Sequence, residues 1–99
     1  MERIEAADTD FVHSFSWALY RLKEGKHIHR SGWNGKGMYL YYVTEGRYPV
    51  KMGIAKEIAD KEGMVSYGAY IAIKSVSGVV YIWNPSQQDL FADDWVIVE

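Results

Sequence analysis

The fold of this chain is decided by the stretch Ala69-Tyr70-Ile71-Ala72-Ile73-Lys74-Ser75-Val76-Ser77-Gly78-Val79-Val80-Tyr81-Ile82-Trp83. It holds two runs rich in β-branched and aromatic residues, 69–74 and 79–83, joined by a short polar connection that contains a glycine. Such runs favour strands, and a short glycine-containing connection favours antiparallel pairing. The stretch therefore predicts a β-hairpin.

Before this hairpin, one segment has the apolar spacing of an amphipathic helix. Its apolar positions are Phe11, Phe15, Ala18, Leu19 and Leu22, and Trp17 extends the same stripe. Asp10 or Ser14 can cap the start of this helix, and Gly25 is placed to end it in a left-handed conformation. We expect the helix to cover one face of the sheet. Residues 1–10 have no periodicity and are expected to form a flexible arm.

The remaining elements are shorter. Residues 26–30 and 38–43 predict a second hairpin, and Trp95 to Val98 predicts a terminal strand, with Trp95 in the core. Residues 44–53 are expected to form a loop, and Ile54 to Glu62 a helix that Gly63 ends. Residues 85–90 are expected to begin a short helix, in which Ser86 and Asp89 have the spacing of a capping box.

Together these elements predict a small α+β protein, with a twisted antiparallel sheet packed by one main N-terminal helix. The chain has 99 residues, which is the size of one domain, and we place that domain at residues 11–99.

Composition excludes several classes of function. There is no cysteine, so disulfides and zinc-thiolate sites are absent, and this fits a reducing cytoplasm. His27 and His29 share one face of a strand but lack further ligands, so no metal site is predicted. The net charge is −2 without a basic block, which disfavours nucleic-acid binding. No apolar run is long enough to cross a bilayer, and we expect a soluble protein.

The sequence also gives little support for catalysis. The candidate acids are Asp89, Asp93 and Asp94. Aspartates at the end of a short helix usually cap it or are solvated, so no paired-carboxylate mechanism is predicted. Ser86 has no nucleophile elbow around it, and the three histidines have no serine or cysteine partner at a recognised spacing. We therefore expect no catalytic residues, no cofactor and no enzymatic activity.

One turn stands out as a candidate ligand site. The segment Gly32-Trp33-Asn34-Gly35-Lys36-Gly37 places an indole and an amide inside a glycine-flanked turn. The glycines and Asn34 suit left-handed turn geometry, but a turn has no use for Trp33. That side chain either packs in the core or stacks on a flat ligand, and the turn alone does not decide between these roles.

The chain is also rich in tyrosine and tryptophan, with eight and four residues, more than a small core readily hides. Oligomerisation together with a ligand site explains this surplus, because interfaces favour both residue types. The alternative is that tyrosine is used here for its strand propensity.

Two stretches carry a resemblance to a known family. They are Leu22 to Lys26 running into Arg30 to Met38, and Trp83 to Trp95. In this order and spacing they resemble the second Thoeris anti-defence family of phage proteins, over about Phe15 to Val98. The resemblance implies a sponge that is not an enzyme and that sequesters the cyclic ADP-ribose isomer made as an alarm signal by Thoeris immunity.

The resemblance further implies a homotetramer with ligand pockets between subunits, acting in the cytoplasm of the infected bacterial host. It also implies, for some members, a separate pocket for cyclic dinucleotides. The residues it assigns to ligand binding are Trp33, Asn34, Gly35, Lys36, Trp83, Pro85, Ser86, Gln87 and Asp89. Residues 44–67 match the family poorly.

Such a ligand suits these residue types. Trp33 or Trp83 can stack on adenine, and Asn34 and Asp89 can bond ribose hydroxyls. The backbone of 35–37, Lys36 and the start of the Ser86 helix can face phosphate. Two alternatives stay open: an enzyme that hydrolyses the same signal, and an interaction module whose aromatic residues serve only contacts between chains.

Overall fold

The computed structural model describes residues 11–33, 37–49 and 57–98. The elements, in chain order, are α1 (Phe15–Lys23), β1 (Ile28–Arg30), β2 (Tyr39–Val43), β3 (Gly46–Pro49), β4 (Met64–Tyr67), β5 (Tyr70–Lys74), β6 (Val80–Ile82), α2 (Gln87–Phe91) and β7 (Trp95–Ile97). The predicted arm at residues 1–10 lies outside the described residues.

Five strands form one antiparallel sheet in the order β6-β5-β2-β1-β7, and β3 pairs with β4 in a separate two-stranded ribbon. The predicted hairpin of the 69–83 stretch is confirmed as β5 and β6, with Ile73 opposite Tyr81. The predicted pairing of the strands on either side of the Trp33 turn is confirmed as well, with Ile28 opposite Leu40. The α+β class is therefore confirmed.

Helix α1 has the ends that its sequence predicts. Ser14 is the N-cap, and its side-chain oxygen accepts a hydrogen bond from the Trp17 N–H. Gly25 follows the last turn with φ +94°, a conformation that favours glycine. The N–H groups of Gly25 and Lys26 bond back to the carbonyls of Leu22 and Arg21, which is the paired arrangement of a Schellman motif.

The core lies between α1 and one face of the sheet. Its fully buried members are Ala18 and Leu22 from the helix and Ile28, Leu40 and Trp95 from three strands, with Trp17 almost completely buried. Residues opposite each other in register share a face of a sheet, so Ile73, opposite Leu40, also points to the helix side. The prediction that Trp95 belongs to the core is confirmed.

The segment between β2 and β5 differs from its prediction. The expected loop at 44–53 contains strand β3, and its partner β4 had not been predicted. The expected helix over Ile54 to Glu62 lies partly outside the described residues; its described part has one 3-10 turn at 57–58 and no α-helix. The expectation failed because strand pairing between distant residues forms this ribbon: Gly46 lies opposite Tyr67, and Pro49 opposite Met64.

Candidate functional site

Two of the predicted binding residues meet at a third tryptophan. Trp33 follows β1, Trp83 follows β6, and both are half-buried. The ring of Trp95 contacts both, at centroid distances of 5.6 Å and 5.8 Å, in edge-to-face geometry. We call Trp33, Trp83 and Trp95 the tryptophan cluster. Its buried centre, Trp95, fixes the positions of two indoles that keep part of their surface in solvent.

Phe15 closes the inner side of this cluster. Its ring lies 5.8 Å from that of Trp83 and 5.6 Å from that of Trp95, between centroids. Trp33 therefore packs against the core through Trp95, and the rest of its half-buried ring is exposed to solvent. Because aromatic rings in contact restrict one another, the exposed surface of the cluster is held in place before any ligand arrives.

The turn after Trp33 is fixed at its far end. Lys74 on β5 donates a hydrogen bond from Nζ to the carbonyl oxygen of Gly37, at 2.9 Å, and its ammonium lies 5.4 Å from the centroid of the Tyr39 ring. Three predicted site residues, Asn34, Gly35 and Lys36, lie between these anchors and outside the described residues. The structure thus describes the residues on either side of these three, Trp33 and Gly37.

Arg30 joins the two stretches of sequence that carry the predicted site. Its Nε donates to Asp94 Oδ1 at 2.8 Å, and its Nη1 donates to Asp89 Oδ1 at 3.0 Å. The guanidinium is about one quarter exposed, and the Asp89 carboxylate is less exposed still. One cation therefore connects the end of β1 to the middle of α2 and to the residue before β7.

Asp89 also forms the capping box that the sequence predicts. The Ser86 N–H donates to Asp89 Oδ2 at 2.9 Å, and the Asp89 N–H donates to Ser86 Oγ at 3.0 Å. Burial by itself raises the pKa of Asp89, but hydrogen bonds from Ser86 and Arg30 outweigh it and hold the pKa below its usual range. Both oxygens of Asp89 are thus engaged in holding the protein's own backbone and Arg30.

Asp94 is the second carboxylate that Arg30 binds, and we call Arg30, Asp89 and Asp94 the Arg30 framework. Its hydrogen bond with Arg30 lowers its pKa below the usual range, and the Gly32 N–H adds to that effect. A side chain at position 32 would lie 3.3 Å from Asp94 Oδ2, closer than most Cβ contacts, so glycine suits this position. The framework is completed by Trp95, whose Nε1–H donates to the Asp89 carbonyl oxygen at 3.0 Å.

The remaining predicted residues, Pro85, Ser86 and Gln87, are exposed on the segment that leads from Trp83 into α2. Trp95 contacts Trp33 and Trp83 through its ring and Asp89 through its Nε1–H, and Asp89 in turn bonds to Ser86. Sequence reasoning missed Arg30, Phe15 and Lys74 as supporting residues. The sequence signal that could have identified a supporting residue was Arg30, a cation two residues before Gly32, where the Trp33 turn begins.

A separate groove lies away from these residues. Val43, Thr44, Tyr48, Tyr67, Gly68 and Tyr70 line an open cavity of about 280 Å³. We call it the tyrosine groove. The Tyr48 ring folds back over Gly46, where a Cβ would lie 2.6 Å from the Tyr48 hydroxyl oxygen, so only glycine permits this position of the ring. The sequence signal was the tyrosine surplus, which did not reveal which rings would gather.

This geometry can be set beside known proteins. The model of the Thoeris anti-defense 2-like domain matches residues 13–98 of the chain. A curated protein named Thoeris anti-defense 2, from Bacillus phage SP01, is 38% identical over 85 residues, which cover 86% of this chain and 93% of that protein. The chain belongs to the Thoeris anti-defense 2-like family. Membership supports an anti-defence role, and it confirms the family that the resemblance indicated.

The matched region of this Thoeris anti-defense 2-like chain contains the whole tryptophan cluster and the Arg30 framework. It also contains every strand and both helices described above. None of the helices described here is long and apolar enough to cross a membrane. The two stretches that carried the resemblance meet in space at Trp95 and Arg30, although more than 40 residues of chain separate them.

Proposed function

We propose that this chain is a phage anti-defence protein that binds and withholds a cyclic ADP-ribose-type immune signal without degrading it. It acts in the cytoplasm of the infected bacterial host, as a homotetramer with ligand pockets between subunits. The observation that carries the proposal is the contact of both Trp33 and Trp83 with the buried Trp95, in a chain of the Thoeris anti-defense 2-like family.

The solvent-facing parts of these half-buried indoles suit the purine of such a signal. Base stacking on an aromatic side chain contributes about 1–3 kcal/mol. Because Trp95 and Phe15 already hold the cluster, little side-chain freedom is lost on binding, and that favours the tight retention that sequestration needs. Trp33 and Trp83 are the stacking residues of the proposal, and Asn34, Gly35 and Lys36 are assigned to the ribose hydroxyls and phosphates of the signal.

The carboxylates near the cluster favour binding over hydrolysis. Asp89 accepts hydrogen bonds from Ser86 and Arg30, and Asp94 accepts one from Arg30. A general base needs a carboxylate that is free to take a proton from water near neutral pH, and these hydrogen bonds hold both pKa values low. We assign Asp89 to holding the wall formed by Trp83, Pro85, Ser86 and Gln87.

The test is a retention experiment on the purified full chain. The protein is incubated with the cyclic ADP-ribose-type signal, ultrafiltered and then heated, and the nucleotide is measured in the filtrate and in the heated fraction. We expect the signal to leave the filtrate and to return intact on heating. A chemically altered product would establish the hydrolase alternative, and undiminished signal in the filtrate would overturn the ligand assignment.

A matched pair of variants locates the site. Trp33→Leu keeps apolar packing against Trp95 and removes the stacking surface, so it should weaken retention roughly 5- to 150-fold, the equivalent of one stacked base. Tyr20→Leu, at an exposed aromatic residue on α1, is the control and should retain the signal like the wild type. Equal retention by both variants would remove Trp33 from the pocket.

The tyrosine groove is our candidate for the second pocket, for cyclic dinucleotides. Tyr48 and Tyr67 present rings 5.7 Å apart at a tilt of 48°, in a cavity separate from the tryptophan cluster. We expect Tyr67→Leu to reduce retention of a cyclic dinucleotide while leaving the cyclic ADP-ribose-type signal bound, and Trp33→Leu to do the reverse. Parallel losses in both variants would place the two ligands in one pocket.

A further inference from the structure

The two edges of the five-stranded sheet differ in whether their outward-facing backbone groups are hydrogen-bonded. At the β7 edge, the Trp95 N–H donates to the carbonyl oxygen of His13 at 3.0 Å, and His13 Nδ1–H donates to the carbonyl oxygen of Trp95 at 2.7 Å. His13 adopts φ +78°, which is unusual for a residue other than glycine. The outward-facing backbone of Trp95 is thereby occupied by the chain's own segment before α1.

The β6 edge has no such cover within residues 11–33, 37–49 and 57–98, where β5 is the strand it pairs with. The Trp83 N–H bonds to Ile71, and the Val79 carbonyl accepts from Ser75, each at 2.9 Å. Backbone groups alternate in direction along an antiparallel strand. The N–H and C=O groups of Val80 and Ile82 therefore point away from β5 and outward from the sheet.

The side chains of the β6 edge favour pairing with another strand. Val80 is 47% exposed, Tyr81 58% and Ile82 65%. Edge strands usually carry a charge, a proline or a bulge that prevents association with another strand, but residues 79–83 include no charged residue and no proline. An apolar edge with free backbone groups is a template for one more strand.

We infer that β6 pairs antiparallel with β6 of a second copy of this chain, about a two-fold axis at Tyr81. In that register Val80 lies opposite Ile82 of the second copy, and Ile82 opposite its Val80. Because both residues direct N–H and C=O outward, each pair exchanges two hydrogen bonds. The two five-stranded sheets then continue as one.

The edge favours a second copy over an unrelated strand because it is self-complementary. A two-fold pairing places the apolar Val80 and Ile82 side chains next to each other on one face, and the two Tyr81 rings next to each other on the other face. No like charges meet, since residues 79–83 are uncharged. The inference rests on the self-association within the proposed function and is independent of its ligand.

Hydrogen exchange of single amides gives a direct test on the full wild-type chain. In a lone chain the amides of Val80 and Ile82 face solvent and exchange fast, whereas Tyr81, which faces β5, is protected. With β6 paired, all three amides are slow, and dilution restores fast exchange at Val80 and Ile82 only. Fast exchange at Val80 and Ile82 at every concentration would overturn the inference.

Variants test the same edge by mass in solution, measured by light scattering. Ile82→Lys places a charge in the pairing and should halve the assembled mass, whereas Val76→Lys, at a similarly exposed apolar residue in the β5–β6 turn, should leave it unchanged. Val80→Pro removes one outward N–H without removing a bond to β5, and should also halve the mass. Circular dichroism verifies that each variant is folded.

The outcomes separate this inference from the proposed function. A wild-type chain that runs as an 11.4 kDa monomer overturns the pairing, as does an assembly whose mass Ile82→Lys and Val80→Pro leave unchanged. If such a chain still retains the nucleotide, sequestration stands and only the pairing fails. A chain that pairs through β6 and retains no nucleotide supports the pairing and overturns the proposed ligand.

Discussion

The tryptophan cluster and the β3–β4 ribbon are built in opposite ways. Trp95 is fully buried and contacts side chains from α1, from the turn after β1 and from the end of β6. The ribbon contributes Val65 to the buried residues, and its cross-links are exposed ion pairs between Arg47, Asp60 and Glu62. The cluster therefore depends on the whole fold, whereas the ribbon is stabilised mainly within itself.

The largest expected effect is at the centre of the cluster. Trp95→Ala should lower the free energy of unfolding by about 3–5 kcal/mol, because it leaves a cavity among three aromatic neighbours. Val65→Ala, at the buried residue of the ribbon, should cost about 1–2 kcal/mol, since it removes fewer buried carbons. Urea unfolding followed by circular dichroism measures both. Equal losses would contradict the contrast between the two regions.

The next effect is the loss of Arg30. Arg30→Gln leaves Asp89 and Asp94 without their cation and should cost about 1–2 kcal/mol, because hydrogen bonds to charged groups exceed neutral ones. Arg21→Gln, which breaks an exposed pair with Glu24 on α1, is the matched control and should leave stability close to that of the wild type. If both variants unfold at the wild-type urea concentration, Arg30 does not support the cluster.

Acid should weaken the same framework by a smaller amount. Arg30 and local N–H groups lower the pKa values of Asp94 and Asp89 in the folded protein. In the unfolded chain the pKa of an aspartate is about 3.9. The stabilisation is complete above that pH and is lost as the pH falls through the folded pKa values. Urea titrations from neutral pH to below pH 3 should show a shallower acid dependence in Asp94→Asn than in the wild type. Superimposable profiles would contradict the role of Asp94.

The smallest effect is expected in the ribbon. Arg47→Gln removes the hydrogen bonds to Asp60 and Glu62, but all three side chains are exposed, so water and salt replace most of their attraction. We expect a melting temperature that scanning calorimetry does not distinguish from that of the wild type. A loss as large as that of Arg30→Gln would show that the ribbon is coupled to the rest of the fold.

Local signals predicted much of the fold. Ser14, Gly25 and the Ser86–Asp89 capping box each act within a few residues of chain, and the structure has all three as predicted. The strands of the 69–83 stretch were equally predictable, because their residue composition and their short glycine-containing connection both indicate a hairpin. Strands β3 and β4 were missed, since Gly46 and Pro49 resemble a loop and only their distant partners make them a strand.

The candidate site was predictable in its residue types and not in its supports. The indoles of Trp33 and Trp83 were identified by motif, and the structure adds that both contact the buried ring of Trp95. The Arg30 contacts to Asp89 and Asp94 span about 60 residues of chain, a separation at which no local pattern indicates a partner. The gathering of Tyr48, Tyr67 and Tyr70 likewise depends on how β3 and β4 pair.

His13 has a consequence for how large an assembly can grow. A sheet with two open edges adds copies without limit, and the product is a filament. Here His13 occupies the backbone of Trp95 at one end of the sheet, which hinders strand addition there, whereas β6 at the other end has no such contact within the residues described. Pairing through β6 then uses the less protected edge of each copy, which favours a sheet that ends at two chains and a larger assembly that forms through faces instead of edges.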